Sequence, residues 1–155
     1  HGHTKIGFIG SYHQTSSIMD RYIGYYKAMV QADLSICKEW ILEDRNADGK
    51  YIDIAFPDDM PTAFVCNCDD VAFIVIKKLK RMGYRIPEDI SIVGFDNSIH
   101  AELCSPKITT FDVNVDGMVK NAVDIILRKV DNPEYTVGRV IVTGNMVERK
   151  SARAV

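Results

Sequence analysis

Four short apolar runs, each ending in polar residues, alternate along the chain with stretches of helical periodicity. Residues Lys5 to Ile9 read as a buried strand closed by Gly10-Ser11. Ser17 with Asp20 three residues on has the spacing of a capping box, with Asp in place of Glu, and predicts a helix start with Ser17 as its N-cap. Ile18, Met19, Tyr22, Ile23, Tyr26, Met29 and Val30 then recur at helical spacing. A second strand is predicted at Trp40–Glu43 and a third at Thr62–Cys66. Asp69 or Asp70 caps the next helix, with Val71, Ala72, Val75, Ile76, Leu79 and Met82 as its buried stripe and Gly83 as its stop. The fourth strand is Ile90 to Phe95, ending in Asp96-Asn97.

Strands alternating with helices at this spacing predict right-handed βαβ units, and so an α/β fold with a doubly wound parallel sheet and helices on both faces. In such a sheet the carboxyl ends of the strands line one crevice, so their polar ends converge on a single ligand site. Beyond residue 107 the pattern changes. Ile108–Val113 reads as extended and Asp116–Val130 as a helix with apolar residues at Met118, Val119, Ala122, Val123, Ile126, Leu127 and Val130. Arg139–Thr143 and Met146–Arg149 read as two short strands around a Gly144-Asn145 turn.

At 155 residues the chain is long enough for one domain with a real core. Its 46% apolar and 26% charged residues are those of an ordinary globular protein, and 19 basic against 21 acidic residues leave a net charge of -2. That balance does not point to nucleic acid or an acidic membrane surface as a direct partner. No apolar run approaches the ~18 residues needed to cross a bilayer, and the first residues lack the apolar middle of a signal peptide, so a cytoplasmic setting is expected. The cysteines Cys37, Cys66, Cys68 and Cys104 follow no framework spacing and read as reduced thiols.

Several phrases resemble one family. Gly2-His-Thr-Lys-Ile-Gly-Phe-Ile-Gly10, Arg21-Tyr-Ile-Gly-Tyr25, Pro61–Cys66, Asp69–Ala72, Ile86-Pro-Glu-Asp-Ile-Ser-Ile-Val-Gly-Phe-Asp96, Pro106–Thr110 and Val147–Ser151 are similar, in order, to the LacI/GalR bacterial transcription regulators. The resemblance implies a periplasmic-binding-protein-like fold, in which two α/β lobes clamp a small effector, commonly a sugar or a nucleobase. It implies further that the chain corresponds to the back part of such a regulator, without the helix-turn-helix head and most of the first lobe. On that alignment residues 3–107 and 139–150 form the second lobe, and 108–131 belong to the absent first lobe. A homodimer is implied, with operator DNA bound through the missing N-terminal part. A transport-type sugar-binding protein of the same fold is the alternative, and a flavodoxin-like enzyme would require a phosphate loop that the sequence does not contain.

By the same resemblance Arg21 grips the effector with its planar fork while Asp96 accepts hydrogen bonds from the opposite side. Their plainer readings are a surface Arg and a helix-capping Asp. Asp69 lies beside the crevice, but Cys68 stands before it where sugar-binding relatives often carry Asn, and a thiol is a poor partner for a hydroxyl. Thr15, Ser17 and Asn46 fall at loop ends facing the same edge. Asp44-Arg-Asn46-Ala-Asp48-Gly49 matches the first half of a calcium loop, but Ala55 stands where the closing Glu is needed. Cys66, Cys68, His100 and Cys104 match no common zinc spacing. The Lys77, Lys78, Lys80 and Arg81 stretch reads as the solvated face of a helix. No nucleophile or metal partner is spaced to use His13 or His100, so neither an enzyme nor a cofactor is predicted. One expectation follows directly: the 155-residue chain does not by itself bind specific DNA, and a salt-sensitive gel shift of operator DNA by this chain contradicts it.

Overall fold

A computed structural model describes all residues from 1 to 155. Four strands, β1 (Ile6–Ile9), β2 (Ile41–Leu42), β3 (Ala63–Cys66) and β4 (Ser91–Val93), form one parallel sheet in the order β2-β1-β3-β4. Helix α1 (Ser16–Gln31) covers one face through Ile18, Tyr25 and Met29, with Tyr25 and Met29 packed on Phe8. Helix α2 (Asp69–Arg81) covers the other, where Val71, Ala72, Val75, Ile76 and Leu79 bury completely against Ile9, Phe64 and Ile92. The α/β fold with a parallel sheet thus matches the reading of the sequence.

Local differences have physical reasons. Helix α1 is capped by Thr15, not Ser17: Thr15 keeps an extended backbone and its hydroxyl accepts from the Ile18 amide at 3.2 Å. Ser17 sits in the first turn, its hydroxyl 3.0 Å from that of Thr15. The apolar positions of α1 lie on two faces, so only one meets the sheet, and Ile23, Tyr26 and Val30 remain about half exposed. Trp40 leaves strand geometry for a short 3-10 turn at Lys38–Trp40, with its indole N–H donating to the Asp59 carbonyl at 2.8 Å. The crossover from β2 to β3 contains no helix, and Ile54, Phe56 and Met60 cover the α2 side of the core from an irregular segment instead. At the start of α2 neither aspartate caps; Cys68 occupies the N-cap position without a side-chain bond, and Asp69 is the first helical residue.

The C-terminal third departs further. Ile108, Thr109 and Thr110 are buried. The Gly94 amide donates to the Thr109 carbonyl at 2.8 Å and the Asp96 amide to that of Phe111 at 2.9 Å, which extends the sheet beyond β4. β5 (Thr110–Asp112) pairs antiparallel with β6 (Asn145–Val147), so Asn145 is a strand residue and not the turn predicted for it. Residues 139–143 form no strand; β5 offers only three residues for pairing, and Val140 and Ile141 lie exposed. Chain ends are tied in by Ser151, whose hydroxyl accepts from the Thr109 amide and donates to the Ile92 carbonyl. Between β5 and β6, helix α4 (Val115–Asp131) has no buried residue at all.

Behind β4, Asp69 is fully buried. One oxygen accepts from the Ser98 amide at 2.7 Å and the other from the Thr110 hydroxyl at 2.6 Å, which joins α2, the loop after β4 and β5. Gly94 makes room for it, since a Cβ there would stand 2.1 Å from the Asp69 carboxylate. Burial raises the Asp69 carboxyl above its ordinary range, against the opposing pull of these two bonds. Asp69→Ala strands one buried and one partly buried donor, and urea denaturation is expected to show a loss of roughly 2 to 4 kcal/mol, with Asp69→Asn losing less. A change within experimental error would mean that the clamp is dispensable.

For α4, the apolar side chains left in water forfeit on the order of 10 kcal/mol of burial. The 155-residue chain is therefore expected to self-associate through this helix, and light scattering should record a mass above the monomer that Leu127→Asp reduces. A monodisperse monomer at micromolar concentration contradicts this.

Candidate functional site

The strand ends and the first turns of α1 and α2 surround a polar crevice of about 280 Å³. Arg21, one turn into α1, crosses its floor. One terminal nitrogen donates to the Asn67 carbonyl at 2.8 Å, the other to Asp96 Oδ1 at 3.0 Å, and the guanidinium lies 4.1 Å over the Phe95 ring. The side chain is thus fixed on three sides, with a donor edge held in place before any ligand arrives. Asp96 has a left-handed backbone at φ 105, which aims its carboxylate back across the crevice. Burial raises its carboxyl above the usual range, opposed by Arg21 and reinforced by the charges of Asp69 and Asp70.

The opposite wall comes from the end of β2. Asp44 is buried and accepts from the Ser11 amide at 2.6 Å. Its second oxygen receives Arg45 Nε at 3.1 Å and Asn67 Nδ2 at 3.2 Å. Arg45 also donates to the Tyr51 hydroxyl at 3.1 Å and lies 4.7 Å over that ring, so the cation is held against the ring at the crevice wall. Burial first, then the proximity of Cys68, pushes the Tyr51 phenol up to about 12, which keeps it neutral. Burial likewise raises the Cys68 thiol, leaving it a weakly polar lining group. Asn67 Oδ1 is buried without a partner. Asp70 lines the crevice and also bonds His100 on α3 (Ile99–Leu103) at 2.6 Å.

Of the residues singled out in the sequence, Arg21, Asp96, Thr15, Ser17 and Cys68 line this crevice together. Asn46 does not: its side-chain oxygen accepts from the amides of Asp48 and Lys50, which closes a tight turn of its own at the surface. Asp69 stands behind the wall with both oxygens taken. Arg45, Asn67, Tyr51 and Asp70 are additional wall residues. Asn67 directly follows β3 and Arg45 stands three residues past β2, so the rule that strand ends line the crevice points to both; Tyr51 arrives through an isolated antiparallel bridge to Arg45 that no periodicity announces. A larger apolar hollow of about 770 Å³ adjoins, sharing Ser17 and Arg21 and lined by Val65, Val93, Phe95, Phe111 and Met146.

The sequence and the fold have close parallels. A family described as periplasmic binding protein-like domain matches residues 1–152. The chain is 36% identical over 138 residues to the HTH-type transcriptional repressor PurR of Vibrio vulnificus, covering 86% of this chain and 41% of the relative. The PurR repressor of Glaesserella parasuis is 35% identical over 133 residues, covering 83% of this chain and 39% of the relative. The chain therefore spans about two-fifths of the length of these relatives. Among solved structures, a transcriptional regulator LacI from Bacillus cereus subsp. cytotoxis superposes with a TM-score of 0.82 at 28% identity, over 99% of this chain and 56% of that one. A transcription regulator from Lactobacillus plantarum gives 0.83 at 25%, over 97% of this chain and 59% of that one. The chain belongs to the periplasmic binding protein-like family, in the effector-binding-domain form found in LacI/GalR regulators.

Proposed function

We propose that this chain is the ligand-sensing region of a bacterial transcriptional regulator, and that its crevice holds a small polar effector, a sugar or related metabolite. The observation that carries this reading is the Arg21–Asp96 grip: a fixed donor edge and a facing carboxylate at the floor of a polar crevice. A polyhydroxylated ligand needs donors and acceptors interleaved at short range, and Arg21, Arg45, Thr15 and Ser17 with Asp96 and Asp70 supply both kinds. Relatives that are repressors favour regulation over transport. In this reading the protein acts inside the cell as a homodimer and meets operator DNA through a part of the regulator other than this chain. Ile99 and Leu103, side by side on α3 and about two-thirds exposed, offer an apolar contact for a second copy.

In the intact regulator, Arg21→Ala and Asp96→Ala should each weaken effector binding roughly 5- to 150-fold, because each leaves its partner unpaired in a closed site. Thermal-shift screening against monosaccharides, disaccharides and nucleobases identifies the effector, and calorimetry on the two variants reads the loss; unchanged affinities contradict the assignment. Asp96 works as a carboxylate, and burial raises its pKa. Affinity should therefore be full at neutral pH and fall as pH drops through that raised value, above the ordinary aspartate range. Asp96→Asn should bind weakly and lose this component of the pH dependence.

A further inference from the structure

The turn after β4 holds the crevice on one side and the strands that carry α4 on the other. Asp96 and Asn97 are consecutive non-glycine residues in left-handed conformation, with φ of 105 and 55. The chain on both sides of them is pinned: the Gly94 amide bonds the Thr109 carbonyl, and the Ser98 amide bonds the buried Asp69 carboxylate. Phe95 is held as well, its carbonyl accepting from the Asp69 amide at 2.9 Å, so the freedom left in the turn lies at Asp96 and Asn97. Asp96 gives its carboxylate to Arg21 and its amide to the Phe111 carbonyl.

Asn97 reaches β5 and the segment that follows β6. Its Nδ2 donates to Asp112 Oδ2 at 3.2 Å, and its Oδ1 accepts from Arg149 at 2.8 Å. Arg149 in turn donates to the Ile108 carbonyl at 2.9 Å, while its own amide bonds the Thr109 hydroxyl. The other oxygen of Asp112 accepts from the Asn114 amide at 2.8 Å. Asn114, also left-handed at φ 55, is the N-cap of α4; its side-chain oxygen accepts from the Gly117 amide at 3.1 Å and its Nδ2 donates to the Thr143 carbonyl. An unbroken series of bonded groups therefore runs from Arg21 to the first turn of α4.

We propose that Asn97 is the coupling residue of this sensor, transmitting a change in the Arg21–Asp96 grip through Asp112 to the Asn114 cap and so to the placement of α4. The inference rests on the effector-binding reading for its meaning, since the ligand is what would load the grip in the intact protein. When the Asp96 carboxylate is pulled toward a new partner, the peptide between residues 96 and 97 turns with it, against only the long 3.4 Å bond from the Asn97 amide to the Thr110 hydroxyl. The pinned neighbours direct that rotation into the Asn97 side chain. Asn97 then shifts its two bonds together, because one planar amide makes both.

The test needs no effector. Arg21→Ala in this chain releases the grip, and amide hydrogen exchange is read at residues 112–117, far along the series from the mutation. Exchange there is expected to quicken roughly 2- to 30-fold, the range of coupling along such networks. In an Asn97→Gly background, which tolerates the left-handed backbone but removes both side-chain bonds, Arg21→Ala should add nothing further. Asn97→Asp gives an independent check: it still accepts from Arg149 but repels Asp112, and should block the effect equally. Exchange at 112–117 that ignores Arg21→Ala, or responds to it equally with and without the Asn97 amide, overturns the proposal. Because no ligand is present, that failure leaves the effector assignment untouched, and a failed calorimetric test of Arg21 leaves this coupling untouched.

Discussion

Much of this molecule depends on one buried carboxylate. Asp69 has no exposed surface, and its two oxygens hold the Ser98 amide and the Thr110 hydroxyl. Removing a charge from water is tolerated only when such bonds replace the lost hydration. The arrangement therefore demands that α2 begin at Asp69, that Gly94 lack a side chain, and that β5 lie against the loop after β4. With those three elements locked, the turn at Asp96 and Asn97 is anchored at both ends. The Asp96 carboxylate is delivered across the crevice to Arg21, which sits on a helix fixed separately through Phe8, Tyr25 and Met29. The polar grip is thus assembled from two elements that do not touch each other elsewhere in the same way, one anchored by apolar packing and one by a buried ion.

The strands and the two main helices were legible because each is governed by a local rule. Strands β1, β3 and β4 are apolar runs stopped by polar residues, and the α2 stripe from Val71 to Leu79 has the period of a helix buried on one face. What stayed hidden was decided by partners distant in sequence. Ser17 and Thr15 both have hydroxyls suited to a cap, and only the backbone geometry at Thr15 chooses between them. Ile23, Tyr26 and Val30 satisfy the periodicity of α1 as well as the buried residues do, yet the sheet is wide enough for one face alone. The stretch at 139–143 has β-branched residues of strand type but nothing in reach to pair with.

The crevice divides in the same way. Arg21 and Asp96 came from phrases similar to a known family, and the geometry pairs them at 3.0 Å. Asn46 does not line this crevice; its side-chain oxygen instead closes a turn of its own through the Asp48 and Lys50 amides. Arg45, in the segment that resembled a calcium loop, instead stacks on Tyr51 and forms a wall of the crevice. The Arg45–Tyr51 pair and the neutral Cys68 thiol give this crevice its own chemistry.

The most direct measurement is a crystal structure of the intact regulator with its effector bound. The account predicts ligand atoms within hydrogen-bonding distance of both the Arg21 guanidinium and the Asp96 carboxylate, with Asp69 still closed on Ser98 and Thr110 and Asn46 uninvolved. A ligand seated elsewhere, with the Arg21–Asp96 pair unchanged from the arrangement described here, would contradict it.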